Sequence, residues 1–213
     1  TDPKEQILAS VATELGKEML LEYGIDIHVG RLDYDGFLTL FEENPCRKII
    51  DASHPFARIV SETVKKAAQT AGILYERYER RNLQYSYEGI VHVNDVQEAI
   101  SLLNELEGNI FLTTGVNTAA AYMAGVKDGV NRLFIRVLDN ISSLEGCEEA
   151  GYQKDHVFGK MPPFTVEDNV KLIRETKAEV LVSKDSGKTG GVDIKVEACR
   201  QTGIKMILID RPR

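Results

Sequence analysis

The sequence predicts an α/β protein made of two small Rossmann-like domains, with mostly parallel sheets and a ligand cleft between the domains. Strand-like and helix-like patterns alternate almost from one end of the 213 residues to the other. The connections between them are short, which is typical of parallel sheets covered by helices. Roughly nine strands are expected, and that number suits two small sheets better than one.

The first half alternates regularly. Short apolar runs predict strands at residues 6–11, 25–29, 48–50 and 74–78. Apolar residues spaced three and four apart predict helices at residues 14–23, 34–43 and 56–71. Gly24 and Gly72 follow two of these helices, as glycine often does at a helix end.

An irregular β segment at residues 83–93 is expected to cross between the halves, and the alternation then resumes. Strands are predicted at residues 109–112, 132–138, 156–158, 179–182 and 205–209. Helices are predicted at residues 96–106, 117–123, 143–150, 166–176 and 192–202. The domains are therefore expected to span residues 1–94 and 95–213.

Composition and charge exclude several classes of protein. The formal net charge of −7 argues against binding to nucleic acid or to an anionic membrane, since both need a basic surface. The three cysteines form no CxxC pair, so neither a disulfide framework nor a metal site is expected. The sequence shows neither an apolar run long enough to cross a membrane nor a signal peptide, and a cytoplasmic protein is predicted.

Three loops that follow predicted strands have an unusual composition, and ligands of open parallel sheets bind at such loops. The first has the sequence DASHPFA at residues 51–57, where Asp51 or Ser53 could simply cap the next helix. The second is TTG at residues 113–115, whose small residues let a phosphate or ribose approach the backbone, although this signal alone is weak.

The third loop, SKDSGKTGG at residues 183–191, combines lysines, hydroxyls and glycines in the manner of an anion-binding loop. It lacks the earlier glycine of a Walker A motif, because Val182 occupies that position, which argues against an NTPase. A flexible solvated loop is the alternative. The arginines of residues 77–81 form either solvated surface or a site for a polycarboxylate.

Taken together, these segments resemble the precorrin-6A reductase family, including its cobalt-precorrin-6A branch, over essentially the whole chain. The most specific motifs are DASHPFA at 51–57 and SKDSG at 183–187. The others are SVATE at 10–14, GRLD at 30–33, RYER at 77–80, LTTG at 112–115, RVL at 136–138, PF at 163–164 with Asn169, and RP at 211–212. Relative to this family, the first strand and its glycine loop are expected to be missing.

The resemblance implies hydride transfer from NADPH or NADH to a C=C bond of precorrin-6A or cobalt-precorrin-6A in cobalamin biosynthesis, without a metal. It implies a cofactor site made of Thr113, Thr114, Gly115, Arg136, Lys160, Met161, Pro162, Pro163, Lys184, Asp185, Ser186 and Gly187. It implies a substrate site made of Asp51, Ser53, His54, Pro55, Phe56, Arg77 and Arg80. By their chemistry His54 and Lys184 are the candidate catalytic proton donors, and a purely binding role is the alternative.

Two other functions stay open. A two-lobed protein that binds an anionic metabolite without turnover would share the same loops. A different NAD(P)-dependent enzyme, such as an epimerase, is disfavoured because the sequence has neither a GxGxxG fingerprint nor a Tyr-xxx-Lys pair. Transient contact with neighbouring pathway enzymes is a further expectation of the reductase hypothesis.

Overall fold

The chain divides into two compact units, Thr1–Glu79 and Arg80–Arg213. The structure is a computed structural model, and it describes residues 6–79 and 85–212. Every strand pair in both units is parallel, and helices connect the strands. The α/β class with mostly parallel sheets is therefore confirmed.

The first unit contains two separate pairs of parallel strands. Strand β1 (Leu8–Val11) pairs with β2 (Asp26–Val29), and β3 (Lys48–Asp51) pairs with β4 (Leu74–Arg77). The connecting helices are α1 (Glu14–Glu18), α2 (Tyr34–Glu43) and α3 (Arg58–Thr70). Helix α1 is shorter than predicted, because the chain turns at Met19 and continues as a short 3-10 helix at Leu21–Tyr23.

Packing of α2 on α3 makes the small core of the first unit. Phe37 from α2 lies against Val64 and Ala67 from α3, with partly buried apolar side chains around them. Only four apolar residues are buried in the described part of this unit, and they are Phe37, Val64, Ala67 and Ala68. The hydrophobic effect therefore contributes only modestly to the stability of this unit.

The second unit is built on a six-stranded parallel sheet with strand order β5-β10-β9-β6-β7-β8. Its strands are β5 (Ile90–Val93), β6 (Asn109–Leu112), β7 (Leu133–Val137), β8 (Val157–Gly159), β9 (Ala178–Lys184) and β10 (Lys205–Ile209). Its helices are α4 (Val96–Leu103), α5 (Ala119–Gly125), α6 (Gly129–Arg132), α7 (Ile141–Glu149), α8 (Val166–Glu175) and α9 (Val192–Thr202).

The division between the units falls earlier than the predicted residue 94. Residues Ile90–Val93, expected to form an irregular crossing segment, make a regular strand that pairs in parallel with β10. This pairing makes β5 the edge strand of the second sheet, so the segment belongs to the second unit. The start of the expected crossing segment, residues 83–84, lies outside the described residues.

The sheet of the second unit is covered by helices and encloses most of the apolar core. Thirty apolar residues are buried in its described part, including Phe111 on β6, Leu181 on β9 and Leu208 on β10. Near-continuous burial along β9 and β10 is typical of central parallel strands. Within residues 6–79 and 85–212, none of the helices combines the length and apolarity needed to cross a bilayer.

Candidate functional site

The carboxyl ends of the parallel strands in the second unit point the same way, and most of the predicted cofactor residues follow them. Residues 113–115 follow β6, Lys160 follows β8, and residues 185–187 follow β9. Arg136 lies within β7, one residue before that strand ends. The fold thus brings the whole predicted cofactor set to one edge of one sheet, where open α/β sheets bind ligands.

Direct hydrogen bonds join the loop after β6 to the end of β9. The backbone N–H and the hydroxyl of Thr113 each donate to the carbonyl of Val182 at 2.9 Å. The Nζ of Lys184 donates to the carbonyl of Thr114 at 2.8 Å. These bonds fix residues 113–115 and Lys184 as one cluster of ammonium, hydroxyl and backbone groups.

Lys184 is partly buried in this cluster, and burial lowers the pKa of its ammonium from the ordinary value of 10.5. A lowered pKa makes the group a better proton donor near neutral pH. Next to it, Gly115 has a φ of 81°, a conformation that favours glycine. An added Cβ there would meet no atom within 4 Å, so the backbone of Gly115 borders open space.

The loop after β9 is held at several points. The backbone N–H of Asp185 donates to the carbonyl of Ile209 at 2.8 Å, and Arg211 Nε donates to the carbonyl of Asp185 at 3.0 Å. The side chain of Asp185 accepts the backbone N–H of Gly187 at 3.2 Å. Ser186 lies so close to Gly190 that a Cβ at residue 190 would be 1.7 Å from the serine Oγ. Hydrogen bonds and close packing therefore hold the loop at both of its ends.

Arg136 is buried, with 6% of its surface exposed. Its Nη1 donates to Asn169 Oδ1 at 2.9 Å, and its guanidinium carbon lies 3.9 Å from the centroid of the Phe164 ring. Burial lowers the pKa of Arg136 to about 10, and the nearby Asp168 opposes that shift. Arg136 therefore supplies a fixed positive charge beneath the edge of the sheet.

Residues 160–163 pass along one side of Arg136. The backbone N–H of Lys160 donates to the carbonyl of Val137 at 3.0 Å, and the Pro162–Pro163 peptide bond is cis. A cavity of about 230 Å³ is lined by Phe158, Lys160, Met161, Pro163, Phe164, Asp168, Lys171, Leu172 and Glu175. The predicted residues Lys160, Met161 and Pro163 thus share a pocket with the ring that stacks on Arg136.

In the first unit, the predicted substrate residues gather at the ends of β3 and β4. Arg77 Nη1 lies 2.6 Å from Asp51 Oδ1 and 2.7 Å from the hydroxyl of Ser53. Tyr75 donates to Asp51 Oδ2 at 2.8 Å. Burial alone would raise the pKa of Asp51, but hydrogen bonds from Ser53, Ser61 and Tyr75 outweigh it and lower that pKa to about 2. The carboxylate therefore stays charged at neutral pH.

The helix-capping alternative for Asp51 and Ser53 has no support in the structure. Helix α3 begins after Ala57, and no side chain caps it. Ser53 instead receives Arg77 Nη1 and lies 3.1 Å from the hydroxyl of Ser61. The residues of the DASHPFA segment thus build a turn that is held by side-chain hydrogen bonds.

His54 is exposed on this turn. Its Nδ1 accepts the backbone N–H of Phe56 at 3.2 Å, and the two rings lie 5.8 Å apart. An accepting Nδ1 puts the proton of a neutral imidazole on Nε2. Pro55 lies between them in the same turn, and Arg80 lies outside the described residues.

The donor groups in the second unit fit a dinucleotide cofactor. Phosphates and ribose hydroxyls are bound by lysine ammonium groups, threonine hydroxyls and glycine backbone. Lys184, residues 113–114 and the open space beside Gly115 offer these groups around one point of the sheet edge.

Comparison with known proteins decides the family. The model of the precorrin-6x reductase family, CbiJ/CobK, matches residues 1–213. The chain belongs to the precorrin-6x reductase family.

Several curated relatives of this chain are named as reductases of the same family. The cobalt-precorrin-6A reductase of Priestia megaterium is 32% identical over 97% of this chain and 82% of its own length. The cobalt-precorrin-6A reductases of Salmonella typhimurium (strain LT2) and Methanothermobacter thermautotrophicus are each 32% identical, over 95% and 99% of this chain and 77% and 70% of their own lengths. The predicted membership in this family, and an oxidoreductase that acts on CH–CH bonds, are therefore confirmed.

A solved structure of the CobK precorrin-6A reductase has the same fold. It superposes with a TM-score of 0.77 and 22% sequence identity, over 98% of this chain and 88% of that one. At this identity the likeness supports the α/β architecture alone.

Sequence patterns in this reductase missed a buried polar group beneath the loop after β9. Lys195 on α9 is 7% exposed, and its Nζ contacts the hydroxyl of Ser183, which is fully buried. A usable signal was present, because Lys195 lies three residues after Val192 and four before Cys199, both buried apolar positions. That spacing puts the lysine on the inner face of the helix.

Proposed function

We propose that this chain reduces cobalt-precorrin-6A, using NADPH or NADH as the electron donor. Membership in the precorrin-6x reductase family over residues 1–213 carries the proposal. The three relatives described above, each 32% identical, are named for the cobalt-containing ring, which favours it over the cobalt-free ring. When bound, a reduced nicotinamide supplies the hydride, and a proton completes the conversion of a C=C bond into CH–CH.

In this proposal, the cofactor lies at the carboxyl edge of the second sheet. Residues 113–115 and Lys184 bind its phosphate and ribose groups, and residues 185–187 shape the adjoining wall. The hydrogen bond from Lys184 to the carbonyl of Thr114 supports this role, because it joins the two loops that would contact the dinucleotide. Buried Arg136 adds positive potential beneath the same edge, which favours an anionic ligand.

Residues 160–163 contribute a second wall to the cofactor site. Their cavity of about 230 Å³ combines apolar side chains with two lysines, Lys160 and Lys171, and two carboxylates, Asp168 and Glu175. Apolar walls with a few charged groups are typical of small-molecule sites. The proposed role of Lys160, Met161, Pro162 and Pro163 is to hold one end of the dinucleotide there.

Residues 51–56 and Arg77 are proposed to face the substrate. Since Arg77 already pairs with Asp51 and with Ser53, its main proposed task is to hold the turn that displays His54. The proton could come from the ammonium of Lys184, whose pKa is lowered, or from the cationic form of His54. The proposal assigns proton donation to one of these two residues.

Anaerobic absorbance of NADPH and then NADH, recorded with purified protein and each ring in turn, tests the function. Oxidation of either cofactor with cobalt-precorrin-6A, faster than with precorrin-6A, is the expected result. A folded protein that binds the ring but oxidises neither cofactor would overturn the proposal in favour of a binding protein.

The site assignment is tested by Lys184→Ala, with Lys205→Ala as the matched control. Lys205 is an exposed lysine at the amino end of β10, the opposite end of the strand from the proposed site. We expect Lys184→Ala to lower kcat/KM by about 100-fold or more, as is usual for loss of a proton donor, while Lys205→Ala keeps the parent rate. Equal activity of the two variants would remove Lys184 from the site.

A further inference from the structure

Lys195 is a buried lysine in the middle of helix α9. It is 7% exposed and lies between the buried residues Val192 and Val196. Lysine is seldom buried to this degree without a partner, because removal of an ammonium from water costs free energy. Burial and the charge of Arg136 together lower the pKa of Lys195 to about 7, although Asp193 opposes the shift.

The amine of Lys195 contacts both ends of the loop after β9. Its Nζ donates to the hydroxyl of Ser183 at 3.2 Å, at the end of the strand. It also donates to the carbonyl of Gly190 at 3.1 Å, where the loop enters α9. A single buried group therefore fixes the start and the finish of the segment that carries Lys184.

A purely apolar side chain would fill this part of the core without the cost of burying an amine. The distinctive contribution of Lys195 is thus the two hydrogen bonds to the loop. The segment between Ser183 and Gly190 is closely packed, since Gly190 lies against the side chain of Ser186 with no room for a Cβ. A shift of either end would move Ser186 and its neighbours as well.

We infer that Lys195 is a positioning residue, which holds residues 183–191 in the shape that receives the anionic part of the cofactor. This inference rests on the proposed cofactor site. It does not require Lys195 to contact the cofactor, because the amine acts from inside the core through Ser183 and Gly190. The loop geometry, and with it the affinity for the dinucleotide, is what depends on this residue.

The test compares Lys195→Met with Val196→Ala in the full chain. Methionine keeps the length of the side chain and removes its hydrogen bonds. Val196→Ala removes buried volume from the same helix, so it matches the loss of stability without altering the contacts of residue 195. A third variant, Ser183→Ala, removes the hydroxyl that accepts one of the two hydrogen bonds and leaves the amine of Lys195 in place.

Hydrogen exchange of cofactor-free protein is the first readout. We expect Lys195→Met to speed amide exchange in residues 184–191 by about tenfold relative to Val196→Ala, because loss of about 1.4 kcal/mol of local stability has that effect. Ser183→Ala should speed exchange in the same segment by a smaller factor. Equal exchange in Lys195→Met and Val196→Ala would overturn the inference.

Titration of NADPH fluorescence is the second readout. Lys195→Met should raise the Kd for NADPH by about tenfold, and KM for NADPH should rise more than kcat falls. If Lys195→Met does not fold, Ser183→Ala decides, and unchanged exchange and Kd in that variant would also overturn the inference. Failure of the parent protein to oxidise NADPH would instead count against the proposed function, because the exchange measurement needs no turnover.

Discussion

Arg77 and Asp51 form the most buried charge pair of the described first unit, with Nη1 and Oδ1 2.6 Å apart at the neighbouring ends of β3 and β4. The Asp51 side chain is 4% exposed and the Arg77 side chain 23%. Arg77 also donates to the hydroxyl and the carbonyl of Ser53. One guanidinium therefore joins two strands and the turn that displays His54.

Removal of Arg77 should destabilise the protein strongly. In Arg77→Met, the buried Asp51 carboxylate loses its cation, and we expect the free energy of unfolding to fall by about 3 kcal/mol. Urea denaturation measures the change. Arg58→Met is the control, because Arg58 pairs with Glu62 on the exposed surface of α3, and such pairs contribute less than about 0.5 kcal/mol. Similar losses in the two variants would contradict the prediction.

Asp51 should make the protein sensitive to acid. Its pKa of about 2 in the folded chain lies below the ordinary value of 3.8 that it has in the unfolded chain, so the carboxylate stabilises the fold above pH 3.8. That contribution, about 2 kcal/mol, is lost as the pH falls through about 2. Asp51→Asn should therefore be less stable than the parent at neutral pH, and the gap should narrow on acidification. Acid titrations followed by circular dichroism measure this difference in stability, and Asp26→Asn, at an exposed position, is the control. A difference between the parent and Asp51→Asn that does not change with pH would refute the prediction.

Lys195 should give a second pH dependence of the same sign, at alkaline pH. Its pKa is about 7 in the folded chain against the ordinary value of 10.5 in the unfolded chain, so the folded chain binds fewer protons than the unfolded chain between these values. Stability due to this group therefore rises as the pH increases from about 7 to 10.5. We expect the difference in Tm, parent minus Lys195→Met, to increase with pH across this range. Other titrating groups cancel in the difference, and a constant difference in Tm would contradict the prediction.

The stacking of Arg136 on Phe164 should depend on the shape of the guanidinium. Lysine keeps the charge but loses the planar group and its hydrogen bond to Asn169. Arg136→Lys should lower the free energy of unfolding by about 2 kcal/mol, measured by urea denaturation. Arg174→Lys, on the exposed surface of α8, should leave it nearly unchanged. Equal stability of Arg136→Lys and the parent would argue against the stacking contribution.

The elements with strong local signals were predictable from sequence. Helix α2 begins and ends at the predicted residues, because Asp33 caps it and the apolar spacing continues to Glu43. Strand β5 lies in a segment that the sequence predicts to be irregular, since residues 83–93 are rich in Tyr, Ser and Val. Its regular conformation comes from pairing with β10, more than a hundred residues later, and local patterns carry no information on such a partner.

Some parts of the candidate site could likewise be predicted from the sequence, and others could not. Composition marked the loops at residues 51–57, 113–115 and 183–191, because hydroxyls, glycines and charges follow apolar strands there. It did not reveal that Arg77 is engaged with Asp51, nor that Arg136 stacks on Phe164, since both contacts join residues far apart in the chain. Lys195 was missed although the helical spacing points it inward, because lysine is ordinarily read as a surface residue.

The two units differ in the size of their apolar cores, and this difference affects how ligand binding can be detected. With four buried apolar residues against thirty in the described parts of the two units, the first unit has the smaller hydrophobic stabilisation and should open first on warming. A ring that binds the turn around His54 would delay that early opening by mass action. Substrate recognition would thus be visible as an upward shift of the first of two melting steps, in protein that has never been given a reductant.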